Sequence, residues 1–232
     1  MVEANVKIHR WEKPDFLNTD FDQSPFLVIW EMTQACDLAC IHCRAEAQPH
    51  RHPLEMTTEE GFKLIDEVST FGRPLFVLTG GDPIKRPDIL DIIRYGDGKG
   101  LRMAMTPSGT SLMTREVVAS LKDAGLSRLA VSLDGSTPGI HDVFRKISGS
   151  YRWTVNCIEY AHELGLPVQI NTTMTRYNLD DFEGLVERMV ELDIVLWSVF
   201  FLVPTGRGQT EDELTAEEYE WVFNRLYELS KT

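Results

Sequence analysis

Three cysteines, Cys36, Cys40 and Cys43, stand within eight residues of one another as a C-x3-C-x2-C array, and Cys157 lies far away in a helical pattern. In a reducing compartment, such a cluster indicates a metal site rather than disulfides. A [4Fe–4S] cube held by only three cysteines keeps one iron open to an exogenous ligand, whereas an ordinary electron carrier uses four. The array therefore predicts an iron–sulfur cluster with chemistry at its open iron.

The same triplet has two plainer interpretations. One is a structural zinc site with His42 as its fourth ligand, and the other is a set of buried cysteines that bind nothing. His42 and Cys43 are adjacent, which is a poor spacing for two ligands of one tetrahedral ion, and zinc fingers usually supply their ligands as two separated pairs. The triplet by itself excludes neither interpretation, so the surrounding elements have to be considered.

The elements that would position these cysteines follow from residue 26 onward, where short apolar runs alternate with amphipathic helical stretches. This alternation is typical of parallel strands joined by crossover helices. Each apolar run is nearly continuous, as in strands that are covered on both faces. Six strands are predicted: Phe26–Met32, Leu75–Thr79, Leu101–Thr106, Arg128–Leu133, Val168–Met174 and Leu196–Val203.

Six βα units form either an open doubly wound sheet or an incomplete barrel, and periodicity alone does not separate the two. Motifs rich in polar residues and glycine follow the first, second, fourth and sixth strands, where barrels build active sites from their βα loops. An open sheet would instead gather its ligand groups at one switch point. The sequence therefore predicts an α/β fold, a partial (β/α)6 TIM-like barrel, with residues 1–25 as an N-terminal extension and 26–232 as one domain.

Composition limits the partners that can be expected. The chain carries 23 Lys and Arg against 36 Asp and Glu, a formal charge of −13, which repels nucleic acid and anionic membrane surfaces. The first residues contain no apolar run typical of a signal peptide, and no later stretch approaches about 18 uninterrupted apolar residues. We expect a cytoplasmic protein with no nucleic-acid or membrane partner.

A C-x3-C-x2-C array on the loop after the first strand of a βα barrel resembles the radical S-adenosylmethionine (SAM) superfamily. The resemblance extends from about Phe26 to Gly208 and is closest to the SPASM-associated maturases, including the haem-biosynthesis-like members. Five further segments carry it: Cys43–Ala47 (CRAEA), Thr79–Pro83 (TGGDP), Ser132–Gly135 (SLDG), His141–Arg145 (HDVFR) and Val203–Gly208 (VPTGRG).

The resemblance implies an enzyme whose open iron is chelated by the amino and carboxylate groups of SAM. Reductive cleavage of SAM would yield a 5′-deoxyadenosyl radical that abstracts hydrogen from a peptide or small-molecule substrate, including tetrapyrroles. The electron would come from an external donor of the flavodoxin or ferredoxin type. The alternative from another class is a non-catalytic Fe–S or zinc-binding module on a βα scaffold.

Four residues after the second strand, Gly80, Gly81, Asp82 and Pro83, match the family's GGEP motif, which the resemblance places at the SAM ammonium. Glycines permit close backbone approach, and a carboxylate suits a cation. Asp82 is one methylene shorter than the usual Glu, so we expect backbone carbonyls to hold the amine more than this side chain does. Taken alone, the same residues are typical of a turn.

Polar residues on the fourth and fifth strands are also implied in SAM binding. Ser132 and Asp134 end the fourth strand, and by resemblance Ser132 and Arg145 contact the methionyl carboxylate, for which Arg is a natural bidentate partner. Asn171 and Thr173 alternate on the fifth strand and so point to one side, where relatives hydrogen-bond the ribose. The alternative is that these groups only form a turn, a surface ion pair and cross-strand hydrogen bonds.

At the end of the sixth strand, Val203 and Pro204 resemble the segment that lays backbone against adenine. Thr106 and Ser108 stand where relatives carry a TNG-like turn. Such relatives usually continue into a cysteine-rich SPASM domain, but no cysteine follows Cys157. Residues 26–232 are therefore expected to be a core domain of the radical SAM type, without a SPASM domain.

Overall fold

The computed structural model describes residues 19–231. Residues 19–25 contain turns but neither strand nor helix, and the rest of the predicted N-terminal extension, 1–18, lies outside the described residues. Six strands form one all-parallel sheet: β1 (Leu27–Glu31), β2 (Leu75–Thr79), β3 (Arg102–Met105), β4 (Leu126–Ser132), β5 (Val168–Met174) and β6 (Leu196–Phe201).

The strands pair strictly in chain order, from β1 to β6. A doubly wound sheet reverses its order at a switch point, and this sheet has no such reversal. The predicted partial barrel is therefore confirmed as a half-barrel. β2 and β5 have the predicted bounds, whereas the predicted third strand began too early, because Leu101 donates its backbone N–H to Gly96 O at the end of the preceding helix.

Within residues 19–231 there are seven α-helices and three single-turn 3₁₀ helices; six of the α-helices lie between strands, and the last follows β6. The α-helices are α1 (Thr58–Ser69), α2 (Ile89–Gly98), α3 (Arg115–Asp123), α4 (Pro138–Arg145), α5 (Ser150–Glu163), α6 (Phe182–Glu191) and α7 (Ala216–Leu229), and the 3₁₀ helices are Pro83–Lys85, Leu179–Asp181 and Thr210–Asp212. α1 begins at a capping box formed by Thr57 and Glu60, a pattern that the sequence itself shows as a Thr followed three residues later by a Glu. Among residues 19–231, no helix is long and apolar enough to cross a membrane.

The two faces of the sheet differ in character. Side chains alternate along each strand, and paired positions of neighbouring parallel strands share a face. The face beneath the helices is apolar and fully buried, as at Phe76, Leu78, Met103, Met105 and Ile170. Burial of this face supplies most of the favourable free energy of folding.

The concave face is more polar and more exposed. Register places Glu31 beside Thr79 and Ser132 beside Asn171, with Thr173 two residues further along β5. Glu31, Thr79 and Ser132 are the last residues of their strands, and Thr173 is the last but one of β5. The half-barrel therefore presents polar groups at the end from which its βα loops emerge.

Candidate active site

The three array cysteines lie in the loop between β1 and α1, above the carboxyl end of the sheet. Backbone hydrogen bonds hold this loop: Cys36 N donates to Gln48 O at 2.7 Å, and Gln48 N donates to Gln34 O at 2.9 Å. Cys36, Cys40 and Cys43 all line one cavity of about 230 Å³. The structure therefore brings the predicted ligand set together around one space.

The surroundings of the three sulfurs suit thiolates. Each sulfur accepts a hydrogen bond from an N–H group: Cys36 from Leu38 N at 3.3 Å, Cys43 from Ala47 N at 3.4 Å, and Cys40 from Arg145 Nη1 at 3.5 Å. Burial raises the pKa of the free Cys36 thiol, and a bound iron would offset this by stabilising the thiolate. Hydrogen bonds to sulfur are among the features that tune iron–sulfur clusters, so the donor set fits a cluster with three cysteine ligands.

Two other residues considered as metal ligands, Cys157 and His42, have surroundings unlike those of the three array cysteines. The Cys157 side chain is fully buried in the main core, where burial raises its pKa to about 12. Burial lowers the pKa of His42 to about 4, and the ring packs on Phe144 with centroids 4.5 Å apart. Within the described part of the chain, no three His, Cys, Asp or Glu side chains are grouped to hold a single metal ion.

The loop after β2 is fastened directly to the cysteine loop. Gly81 N donates to Thr33 O at 2.7 Å, and Asp82 N donates to Ala35 O at 2.6 Å. A Cβ on Gly80, whose φ is +133°, would lie 2.3 Å from Thr33 O, and a Cβ on Gly81 would lie 2.4 Å from Ala35 O. These glycines are therefore needed for a close contact between two backbones, beyond forming a turn.

The Asp82 carboxylate is directed into the protein. It is fully buried and accepts from Ser108 N at 3.3 Å, Ile84 N at 3.4 Å and the Thr110 hydroxyl at 3.2 Å. Gly80 and Gly81 line the cavity, whereas Asp82 and Pro83 do not. Asp82 therefore braces the loops after β2 and β3, and Gly80 and Gly81 are the residues of this motif that face the cavity.

Replacing Gly81 by Ala is expected to displace the cysteine loop. The new Cβ would meet two backbone oxygens, Ala35 O at 2.4 Å and Gln34 O at 2.7 Å, neither of which can turn away as a side chain does. We expect a loss of about 1–3 kcal/mol in the free energy of unfolding and poorer iron retention. Urea unfolding of the apoprotein and iron analysis after anaerobic reconstitution measure the two effects.

Gly98→Ala is the matched control, because a Cβ at this last residue of α2 meets nothing within 4 Å. It should retain iron and change stability by less than about 1 kcal/mol. A Gly81→Ala protein that matches the parent in both measurements contradicts the tight packing of the two loops.

A buried ion pair stands behind the cysteines. The guanidinium of Arg145, the last residue of α4, pairs with the carboxylate of Asp134, which is fully buried. Burial opposes ionisation of Asp134, but the cation of Arg145 and the hydrogen bond from Thr173 N help to hold its pKa below the usual value. Asp134 also donates its backbone N–H to Nδ1 of His141 at 3.1 Å. Arg145 lines the cavity and Asp134 does not, so Asp134 orients Arg145.

The other predicted SAM contacts lie outside the cysteine cavity. Ser132, Asn171 and Thr173 are half-buried on the concave face, and Asn171 Oδ1 already accepts from Gln169 Nε2 at 2.8 Å. Val203 and Pro204 are exposed after β6. Their roles toward ribose and adenine remain predictions.

Arg207 is the main site residue that sequence reasoning missed. It donates through Nε to Cys40 O at 2.9 Å, through Nη1 to Ala47 O at 3.3 Å and through its backbone N to Cys43 O at 3.1 Å. It thereby joins the loops after β1 and β6, the two edge strands of the half-barrel. The VPTGRG segment was a signal for this position, but nothing local showed that its arginine reaches residues about 160 positions away.

Two further residues that line this cavity, Glu31 and Arg44, were not predicted as site residues from the sequence. Glu31, at the end of β1, forms an ion pair with Arg44 next to the third cysteine, and both side chains are largely exposed. Exposed pairs of this kind contribute about 0–1 kcal/mol to stability. The pair therefore places one cation and one anion at the cavity, with no net charge and little effect on stability.

Fold and site together define a half-barrel protein in which three cysteines of the first βα loop, Gly80 and Gly81, and Arg145 line one cavity. A profile of the Radical SAM superfamily matches residues 30–189. The chain therefore belongs to the radical SAM superfamily.

Named relatives agree with this assignment. The chain is 42% identical over 208 residues to the AdoMet-dependent heme synthase of Methanosarcina barkeri (strain Fusaro), covering 90% of this chain and 59% of that protein. It is 32% identical over 212 residues to the Fe-coproporphyrin III synthase of the same organism, covering 90% and 52% respectively. The chain thus spans little more than half the length of these curated relatives.

Solved structures share the fold. Streptococcus suis SuiB bound to the precursor peptide SuiA superposes with a TM-score of 0.74 at 16% identity, covering 90% of this chain and 47% of SuiB. SuiB bound to S-adenosylmethionine gives a TM-score of 0.73 at 16% identity, covering 89% of this chain and 48% of SuiB. At such identities the likeness establishes the half-barrel fold.

Proposed function

We propose that Cys36, Cys40 and Cys43 hold a [4Fe–4S] cluster and that the chain cleaves SAM reductively to begin radical chemistry on a substrate. The observation that carries this proposal is the convergence of three hydrogen-bonded cysteine sulfurs, the Gly80–Gly81 backbone and Arg145 on one cavity. A cluster held by Cys36, Cys40 and Cys43 would pass one electron from an external donor into SAM, whose carbon–sulfur bond would then break to give methionine and a 5′-deoxyadenosyl radical that takes hydrogen from the substrate.

The side chains and backbone of this chain bind and orient SAM in this reaction. Arg145 remains cationic, because the neighbouring carboxylate of Asp134 offsets its burial and raises its pKa. It can therefore pair with the SAM carboxylate. Backbone carbonyls of the loop containing Gly80 and Gly81 are suited to an ammonium, and Ser132, Asn171 and Thr173 offer polar groups for the remainder of SAM. Asp134 acts through Arg145.

The substrate we propose is a tetrapyrrole. Relatives at 42% and 32% identity are named heme synthase and Fe-coproporphyrin III synthase, whereas the peptide-bound SuiB shares only the fold. The electron donor is proposed to be of the flavodoxin or ferredoxin type. The charge of −13 disfavours nucleic-acid and anionic-membrane partners, and the protein is proposed to be cytoplasmic. Residues 26–232 are proposed to form one radical SAM core domain.

The reconstituted chain is expected to form 5′-deoxyadenosine from SAM and dithionite even without substrate. The groups proposed to bind and cleave SAM all lie between Cys36 and Pro204, so slow, uncoupled cleavage should occur. Anaerobic incubation followed by chromatography for 5′-deoxyadenosine and methionine is the measurement. Cys40→Ala is the control that has the same fold but lacks one cluster ligand.

Separate outcomes would contradict the separate parts of this proposal. A fully loaded protein that binds SAM but makes no 5′-deoxyadenosine above the control contradicts the proposed cleavage by these residues alone. A colourless protein with one tightly bound zinc supports the rival non-catalytic module. Addition of a tetrapyrrole tests the proposed substrate. No change in its visible spectrum and no increase in 5′-deoxyadenosine would contradict a tetrapyrrole substrate. An increase in 5′-deoxyadenosine on addition of a precursor peptide would indicate a peptide substrate instead.

A further inference from the structure

Ser108 brings the loop after β3 into contact with both the cysteine loop after β1 and the loop after β2, which contains Gly80 and Gly81. Its hydroxyl oxygen lies 3.1 Å from Cys36 Sγ and 2.6 Å from Gly81 O, and the residue lines the same cavity. Cys36 is a ligand of the proposed cluster, and Gly81 belongs to the motif at which the amino group of SAM is expected. One small side chain therefore touches both halves of the site.

A serine hydroxyl has one proton to donate. A carbonyl oxygen only accepts, so Ser108 donates to Gly81 O, and the protonated Cys36 thiol donates to the Ser108 oxygen. When iron binds Cys36, the thiol loses its proton and the sulfur becomes an acceptor. Two acceptors, the Gly81 carbonyl and the Cys36 thiolate, then share the single Ser108 proton.

The loop that carries Ser108 is held in place independently of this hydroxyl. Ser108 N and the Thr110 hydroxyl both donate to the buried Asp82 carboxylate, at 3.3 Å and 3.2 Å, and Asp82 N donates to Ala35 O at 2.6 Å. Rotation about the Cβ–Oγ bond of Ser108 redirects the hydroxyl proton without moving the backbone. The geometry therefore contains a donor with two alternative partners on a fixed frame.

We propose that Ser108 is a positioning residue that couples the ligand at Gly81 to the thiolate of Cys36. An N–H of the ligand's amino group at the Gly81 carbonyl satisfies that oxygen and disfavours a second donor, so the Ser108 proton turns to the sulfur. This inference rests on the proposed function, because it requires a cluster on Cys36 and a ligand with an amino group beside it.

The coupling predicts the direction in which the ligand shifts the reduction potential of the cluster. A hydrogen bond to a cluster thiolate stabilises the reduced state, which is the more negative one, and so raises the reduction potential. A ligand that turns Ser108 toward Cys36 must therefore bind the reduced cluster more tightly than the oxidised cluster. By linkage, reduction increases ligand affinity by the same factor.

The test is a redox titration of the reconstituted full chain, monitored by electron paramagnetic resonance, with and without S-adenosylhomocysteine. This probe keeps the amino and carboxylate groups of SAM but lacks the sulfonium, so reduction does not cleave it. We expect Ser108→Ala to lower the ratio of affinities for the reduced and oxidised clusters about tenfold, from the worth of a hydrogen bond to a charged group. For a one-electron couple this equals about 59 mV less upward shift on ligand binding.

Two further variants make the comparison specific. Ser108→Thr keeps the hydroxyl and should restore most of the shift. Ser127→Ala removes a hydroxyl that donates to Met103 O at 2.7 Å at the amino-terminal end of the sheet, and it should leave the shift unchanged. If Ser108→Ala loses its iron, Ser108→Cys replaces it, because a thiol is only a weak donor and the shift must again fall below that of Ser108→Thr.

An unchanged shift in Ser108→Ala, or a loaded parent protein whose potential does not respond to S-adenosylhomocysteine, overturns the coupling. Either result leaves the proposed function standing if the parent still makes 5′-deoxyadenosine. A parent protein that assembles no cluster, or does not bind the probe, overturns the proposed function itself.

Discussion

Replacement of Cys40 by Ala should abolish cluster assembly, taking the iron content of the reconstituted protein from about four atoms per chain to a background value. Cys36→Ala and Cys43→Ala should do the same. Each of these sulfurs lines the common cavity and accepts its own N–H hydrogen bond, and removing one thiolate from a three-cysteine set leaves two irons without a protein ligand. Iron and sulfide analysis after anaerobic reconstitution measures the effect.

Cys157→Ala is the matched control, since it makes the same substitution in the apolar core. It should keep full iron content, and its effect should appear in the free energy of unfolding as the loss of a small buried group. Loss of iron in Cys157→Ala with retention in Cys40→Ala would overturn the ligand assignment.

Replacement of Arg145 by Ala should both destabilise the protein and weaken SAM binding. The Asp134 carboxylate is fully buried, and its Arg145 partner is also buried, so truncating the cation leaves an uncompensated charge that costs about 3–5 kcal/mol. A charge-assisted hydrogen bond to the SAM carboxylate is worth about 1.5–3 kcal/mol, so SAM affinity should fall at least about tenfold. Urea unfolding and calorimetric titration of the reconstituted protein separate the two effects.

A double-mutant cycle isolates the interaction energy between Asp134 and Arg145. Asp134→Ala combined with Arg145→Ala should be less destabilised than the sum of the two single variants, because the double variant leaves no unpaired buried charge. Arg115→Ala is the control, since it breaks an exposed pair with Glu163 and should cost about 0–1 kcal/mol. Additive losses of unfolding free energy in the two single variants would show that Asp134 and Arg145 do not stabilise each other. Unchanged SAM affinity in Arg145→Ala would show that Arg145 does not bind the SAM carboxylate.

The sequence by itself determined the repeating elements and the reactive residues. Periods of alternation and amphipathicity depend only on local side-chain order, so the strands β2 and β5 and the cap of α1 could be predicted to the residue. The spacing of Cys36, Cys40 and Cys43 also lies within one loop, and it therefore indicated the metal chemistry without knowledge of distant contacts.

Only the tertiary structure decided what the side chains around those cysteines do. Asp82 carries the expected charge type for an ammonium, yet its carboxylate turns inward to bind three donors from its own loop and the loop after β3. Asp134 binds Arg145, and Arg207 holds a loop from the opposite edge of the half-barrel. A motif fixes residue type and spacing along the chain, whereas the direction of a loop side chain depends on which remote donors the folded sheet brings within about 3 Å. The register of β1 to β6 sets those contacts, so these roles had no local signal.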